Sequence, residues 1–181
     1  MISLGLLELS SIARGIMAGD AMLKAADVQL VKAATVCPGK YIILISGEVA
    51  AVSASMAAGR SHAKEYLVDD LVIASLNSQV LSAMGGCTPP PHMASLGVME
   101  FFSIASAIIA ADIGAKTADV KLMEVRLGLG IGGKSFVTLT GEVAAVQAAI
   151  DAGTMEAAQK GMVVSTCVIP SPSREIFDAM L

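Results

Sequence analysis

The chain has 181 residues, 55% of them hydrophobic and 15% charged, with a formal net charge of −4. That is enough apolar material to bury the core of one large domain or two small ones, while aromatics at 3% and the lack of a basic tract argue against a nucleic-acid surface. The longest uncharged apolar runs, such as Ile104 to Ala111 and Tyr41 to Ile45, fall far short of the roughly 18 residues needed to cross a bilayer, so neither nucleic acid nor a membrane is an expected partner.

The opening stretch "MISLGLLELSS" has no basic region and carries Glu8 among its apolar residues, so it does not read as a secretory signal, and an intracellular protein is expected. Leu4 to Leu9 reads as a short apolar strand. Ser10 or Ser11 caps a helix whose Ile12, Ile16, Met17 and Leu23 recur at helical spacing and which ends near Lys24 to Ala26. Val28 to Thr35 and Tyr41 to Ser46 read as two strands joined by "VCPGK", residues 36 to 40, where proline and glycine suit a hairpin turn. Gly47 and Glu48 open an alanine-rich helix through about Ala58, and Leu71 to Ala74 supplies a further strand before a short helical segment ending in "LSAM". "MGGCTPPPHM", 84 to 93, then combines two glycines with three prolines, which forbids a helix or a central strand and marks a linker containing Cys87.

Beyond the linker the chain repeats itself. "LGLLELSSIARGIMAGDAMLKAADVQL" at 4 to 30 aligns without a gap to "LGVMEFFSIASAIIAADIGAKTADVKL" at 96 to 122, and "GEVAAV" at 47 to 52 recurs at 141 to 146. The offset grows from 92 to 94 between Leu122 and Lys134, so the second copy has gained two residues in the loop that matches "VCPGK". Val163 to Ile169 is the second copy's last strand, before a helical segment ending in "FDAM". Residues 1–84 and 94–181 are thus expected to be two domains joined by a linker at 85–93. Each has the order β-α-β-β-α-β, an α+β class with an antiparallel sheet and helices on one face.

The three cysteines, Cys37, Cys87 and Cys167, are odd in number and 50 and 80 residues apart, which supplies neither a disulfide framework nor a local CxxC metal motif. "GLGIGG" at 128 to 133 leads into the strand "SFVTLTG" rather than a helix, so it is not a dinucleotide fingerprint. With no nucleophile elbow, paired-carboxylate signature or P-loop, an enzyme is not expected. His62 and His92 have no ligand-spaced partner and read as surface residues. Eleven methionines and a mean hydropathy of +0.72 suit adaptable interfaces and predict that other subunits cover part of the apolar surface.

The pattern G-x-x-E-x-x-S, G-D-A-M-x-K-A-A-D-V, a glycine turn before an apolar strand, G-E-V-A-A-V and a terminal V-I-P-x-P resembles the bacterial microcompartment shell domain, present twice over nearly the whole chain. The resemblance implies two tandem ferredoxin-like shell domains forming a trimeric pseudohexamer, in the shell of a cytoplasmic microcompartment and beside other shell proteins. The cysteine-proline-glycine turn is similar to that of the iron-sulfur members of propanediol-utilisation microcompartments, whose matching cysteine holds a [4Fe-4S] cluster on the pore axis. By that resemblance Val36, Cys37, Pro38, Gly39 and Lys40, with Gly130, Ile131, Gly132, Gly133 and Lys134, would line the pore. Cys37 would ligate one labile [4Fe-4S] cluster per trimer, and an internal or cytosolic redox protein would be its electron partner. Three thiolates are one short of the usual four, so the fourth iron would take water, a small thiol or a partner's ligand.

Cys167 is expected to be buried in its strand, and Cys87 to be an inert or surface linker thiol. Lys40 and Lys134 share one repeat position and are expected to be structural. Lys24 and Lys116 match the family's tile-edge lysine, whereas Ser75 and Ser171 stand where the family has an edge arginine. Two other readings stay open: a shell tile whose pore conducts metabolites without a cluster, and a ligand-binding regulatory protein built from two ferredoxin-like halves.

Overall fold

The computed structural model describes residues 2–87 and 94–180, in which the chain forms two compact units, Met1–Leu76 and Asn77–Leu181. In the first, β1 (Ser3–Leu9), α1 (Ile12–Ala25), β2 (Gln29–Val36), β3 (Lys40–Gly47), α2 (Val49–Ala63) and β4 (Leu67–Ile73) follow in order. The second begins with α3 (Ser78–Met84) and repeats the series as β5 (Ser95–Phe101), α4 (Ile104–Thr117), β6 (Val120–Leu127), β7 (Ser135–Gly141), α5 (Val143–Gln159) and β8 (Val163–Ile169), ending with α6 (Arg174–Asp178). Both sheets are antiparallel, with orders β2-β3-β1-β4 and β6-β7-β5-β8.

Strand alternation sets the layers. Leu7, Leu9, Ile43 and Ile45 pack with Ala18 and Met22 of α1 and with Val52, Met56 and Ala63 of α2, because residues two apart share one sheet face. The glycine repeated in β1 and β5 has a packing reason: a Cβ on Gly97 would lie 2.7 Å from Val146 Cγ1, and one on Gly5 would lie 2.9 Å from Met56 Sδ. The helix layer therefore sits too close for any side chain there. Ser11 caps α1 by accepting from Arg14 N–H, and Ser103 caps α4 by accepting from Ser106 N–H.

Several expectations change. α2 continues to Ala63 rather than stopping near Ala58, since Gly59 is needed beneath Met22 and Leu7, where a Cβ would fall within 2.7 to 2.9 Å of their side chains. β4 starts at Leu67 rather than Leu71; its two acidic residues are tolerated because Asp70 pairs with Arg60 and β4 is an edge strand. The apolar stripe of α1 lies away from the core. Gly15, Ala18 and Met22 are buried, whereas Ile12, Ile16, Met17 and Leu23 are exposed. Helices also lie on both faces of the second sheet: Gly97 faces Val146 and Ile150 of α5, while on the opposite face Leu96 packs with Met123 and with Phe177 of α6.

Cys167, expected to be buried, is exposed. It pairs with Val98 on edge strand β8, on the face away from α4 and α5, and β8 has only one neighbouring strand to help cover it. Cys87 is partly buried instead, against the Leu96, Met123 and Phe177 cluster. His62 is at the surface, its Nδ1 2.9 Å from the Ala58 carbonyl. His92 lies outside the described residues.

Candidate functional site

The β2–β3 hairpin turns in three residues, Cys37, Pro38 and Gly39. Gly39 N–H donates to the Val36 carbonyl at 3.0 Å, and the Cys37–Pro38 peptide is cis. Gly39 has φ of +88°, a region that strains residues bearing a Cβ. Of the five residues expected to line a pore here, Val36 is buried within the chain and anchors the turn. Pro38 and Gly39 are exposed, and Cys37 is a free, partly exposed thiol at the tip.

Lys40 points back from the tip. Its Nζ forms an ion pair with Glu8 Oε1, and the Glu8 side chain is only 3% exposed. Glu8 lies opposite Ile42, and Lys40, two residues from Ile42, is on the same face, diagonal to Glu8. The second unit repeats the arrangement with Lys134 and Glu100. The two lysines thus brace the bases of the two loops.

The matching β6–β7 loop runs from Gly128 to Lys134, longer than its counterpart, as the sequence offset requires. Gly128, Gly130, Gly132 and Gly133 all have positive φ. Around Gly130 and Gly132 nothing lies within 4 Å of where a Cβ would sit. Leu129 is an exposed apolar side chain on this loop that sequence reasoning passed over. A large aliphatic residue between two loop glycines was the available signal.

Among the described residues no three His, Cys, Asp or Glu side chains lie together as a metal-binding set. One chain therefore offers a cluster a single soft thiolate at a hairpin tip, with a bare glycine beside it. That donor fits iron-sulfur ligation chemically, provided further ligands come from outside the chain.

Lys24 and Lys116 lie in the last turns of α1 and α4. α1 begins beside the strand ends that carry the hairpin, where Leu9 pairs with Tyr41, and finishes near Asp27, whose carbonyl lies against Gly47. Each unit thus holds its lysine and its hairpin tip at opposite ends. Lys24 pairs with Asp20 at 2.7 Å, both well exposed, and Lys116 pairs with Asp112 at 2.5 Å, where the aspartate is almost buried.

The difference at the aspartate traces to α3. Asn77 N–H donates to Asp112 Oδ1 at 2.7 Å, and Asn77 Nδ2 donates to the Ala115 carbonyl at 3.2 Å. Two residues on, the Gln79 side chain accepts from Leu122 N–H at 3.0 Å and donates to the Val120 carbonyl at 3.2 Å. A side-chain amide there satisfies the free backbone edge of β6 as a further strand would.

The BMC domain family model matches residues 3–76 and 95–172. The bacterial microcompartment shell protein PduT of Citrobacter freundii is 39% identical over 179 residues, 99% of this chain and 97% of its own. A microcompartments protein from Desulfitobacterium hafniense DCB, known from a crystal structure, superposes with a TM-score of 0.92 at 54% identity, covering 97% of this chain and 98% of that one. The fused permuted hexameric shell protein MSM0275 of the RMM microcompartment shares the fold, with a TM-score of 0.66 at 23% identity over 87% of this chain and 84% of its own.

Proposed function

The chain belongs to the family of bacterial microcompartment shell proteins with BMC domains, two in tandem, and from that premise we propose a homotrimeric tile whose central pore holds one [4Fe-4S] cluster through Cys37. It is a structural component of the shell and assembles with other shell proteins. The observation that carries the cluster reading is a free, partly exposed thiol at the tip of a three-residue hairpin, with no complete ligand set gathered among the described residues of the chain. Three-fold symmetry would bring three Cys37 thiolates to one axis.

Each residue of the hairpin has a task in this reading. Cys37 supplies the thiolate; Gly39 leaves the space beside it open; Val36 is fixed in the core; Lys40 is held back by Glu8 and does not crowd the axis. The other loop would face the same axis with glycines at 130 and 132 and thus adds no competing ligand. When bound, the cluster supplies one-electron redox chemistry, suited to passing electrons, or the cluster itself, across the shell to a redox partner.

Anaerobic reconstitution with iron and sulfide, read by absorption, paramagnetic resonance and iron content, tests this. The expected result is a brown wild type with one cluster per trimer and a colourless Cys37→Ser that is still trimeric. Equal iron in the two proteins would leave a tile whose pore passes small metabolites, with Cys37 an ordinary lining residue.

A further inference from the structure

Lys40 is close enough to act on Cys37 and is folded away from it. It stands directly opposite Val36, the residue before Cys37. Paired residues lie about 4.5–5.5 Å apart and consecutive Cα atoms about 3.8 Å, so the Lys40 and Cys37 backbones are within about 9 Å of each other. A lysine stem spans most of that distance, and an unrestrained Lys40 would bring its ammonium to the thiol. Instead the side chain lies along the sheet to Glu8 of β1, which is opposite Ile42 and therefore further from the turn.

Glu8 is set so that it does not release the lysine. Its side chain is 3% exposed, and among the described residues no hydrogen bond reaches Oε1, which leaves the Lys40 ammonium to compensate that oxygen. Parting the pair would strand a carboxylate in low dielectric. The copy without a cysteine in its loop holds the matching pair, Lys134 and Glu100, far more openly. The lysine is thus held most firmly in the copy that has a loop thiol for it to act on.

We propose that Glu8 is a positioning residue that keeps the charge of Lys40 away from the Cys37 tip, and thereby holds a cluster bound there at a lower reduction potential. The redox half of this proposal rests on the cluster reading above; the electrostatic half concerns the bare chain. A cluster's potential follows its net charge and surroundings, because each added electron makes an anionic centre more negative. A cation released beside each Cys37 would favour the reduced form, and a trimer would release three around one site.

Alkylation of Cys37 in the metal-free protein, read by peptide mass spectrometry, tests the electrostatic half. Iodoacetate is an anion and iodoacetamide is neutral, so the ratio of their rates reports the local field and cancels the thiolate fraction common to both. Glu8→Gln is expected to raise that ratio about threefold at low salt, the effect of one unit charge at roughly 7 Å in a solvated setting. The double variant Lys40→Met, Glu8→Gln is expected to return it to the parent value, a rescue that a merely structural role for Glu8 does not give. The parent needs no substitution to be informative: its ratio is expected not to fall as salt is added, and a fall would show the Lys40 charge already acting at the thiol and overturn the proposal. A Glu8→Gln ratio equal to the parent's would overturn it too. After anaerobic reconstitution, Glu8→Gln trimers are expected to show a midpoint potential above the parent's, and an unmoved potential would overturn the redox half. A parent that binds no iron would overturn the cluster reading itself, while the alkylation ratios still decide where the charge of Lys40 acts.

Discussion

Lys40 and Glu8 join neighbouring strands at the base of the hairpin that presents Cys37, and the second unit repeats the pair as Lys134 and Glu100. The copies differ in how deeply the pair is set. Glu8 is 3% exposed and Lys40 22%, against 31% and 41% in the second copy. Removing one partner of a buried pair leaves an uncompensated charge in low dielectric, whereas an open pair is solvated once broken.

Lys40→Met is therefore expected to destabilise the protein by about 2–4 kcal/mol and Lys134→Met by about 1 kcal/mol or less, in urea unfolding followed by circular dichroism. The double variant Lys40→Met, Glu8→Gln should recover part of the loss by removing the orphaned charge. Equal costs for the two lysines would show that burial does not set the strength of these pairs.

Gln79 should be worth more than an ordinary helix-surface residue. Gln79→Leu keeps the bulk but strands the Leu122 N–H and the Val120 carbonyl at the β6 edge, at a cost of about 1–3 kcal/mol. Hydrogen exchange reads the same event locally: the Leu122 amide is expected to lose protection while amides in β7 keep theirs. An unchanged Leu122 amide would mean that the side-chain bonds do not form in solution.

How far the chain could be read without its structure follows the range of the interactions involved. The order of elements along the chain and the two hairpins were legible because they rest on local chemistry: proline and glycine in the turn, apolar runs on either side, and a repeat in which each copy checks the other. The face that α1 buries was not legible, because periodicity marks an apolar stripe but not what covers it. Gly15 and Ala18 face the core because they are small, while Ile12 and Ile16 remain open. Cys167 was misplaced for a related reason. The run Val-Val-Ser-Thr-Cys-Val-Ile has the same composition in a central strand as in an edge strand, and only the sheet order separates them. Glu8 and Lys40 both recur in the repeat, yet their pairing requires β1 to lie beside β3. Gln79 is one of three polar residues in a short helix, and nothing local marks it as an edge cap.

The cysteines should separate by thiol reactivity. Burial, and then the negative charge of Glu124, push the Cys87 thiol above its ordinary pKa, with Arg126 opposing. Alkylation by iodoacetamide at pH 8, followed by peptide mass spectrometry, is expected to modify Cys167 first and Cys87 slowly, with the Cys87 pH profile displaced upward. The linkage has the matching sign. The native state holds the Cys87 proton more tightly than the unfolded chain, so this stabilising contribution is present below the ordinary thiol pKa and is lost as pH rises through the folded value. Cys87→Ser should flatten that alkaline slope, and a slope unchanged by the substitution would assign it to other groups.

The lysines at the far end of each unit invite a test of lateral assembly, because Lys24 and Lys116 sit away from the hairpin tips where a tile would present its rim. Lys24 and its partner Asp20 are both solvated, so Lys24→Glu sets two carboxylates side by side on the surface at a stability cost below about 1 kcal/mol. Lys116→Glu is harsher. Asp112 is almost buried and also accepts from Asn77 N–H, so reversing the neighbouring charge disturbs the α3 dock as well as the rim. The informative substitution is therefore Lys24→Glu, with Lys116→Gln as its companion to keep the second unit intact. In negative-stain microscopy the double variant is expected to remain as discrete tiles of wild-type mass under conditions in which the parent forms extended sheets. If sheets form as readily as before, tile contacts run through other residues, and with Ser75 and Ser171 standing where an edge arginine was expected, the rim would have to be sought on different elements.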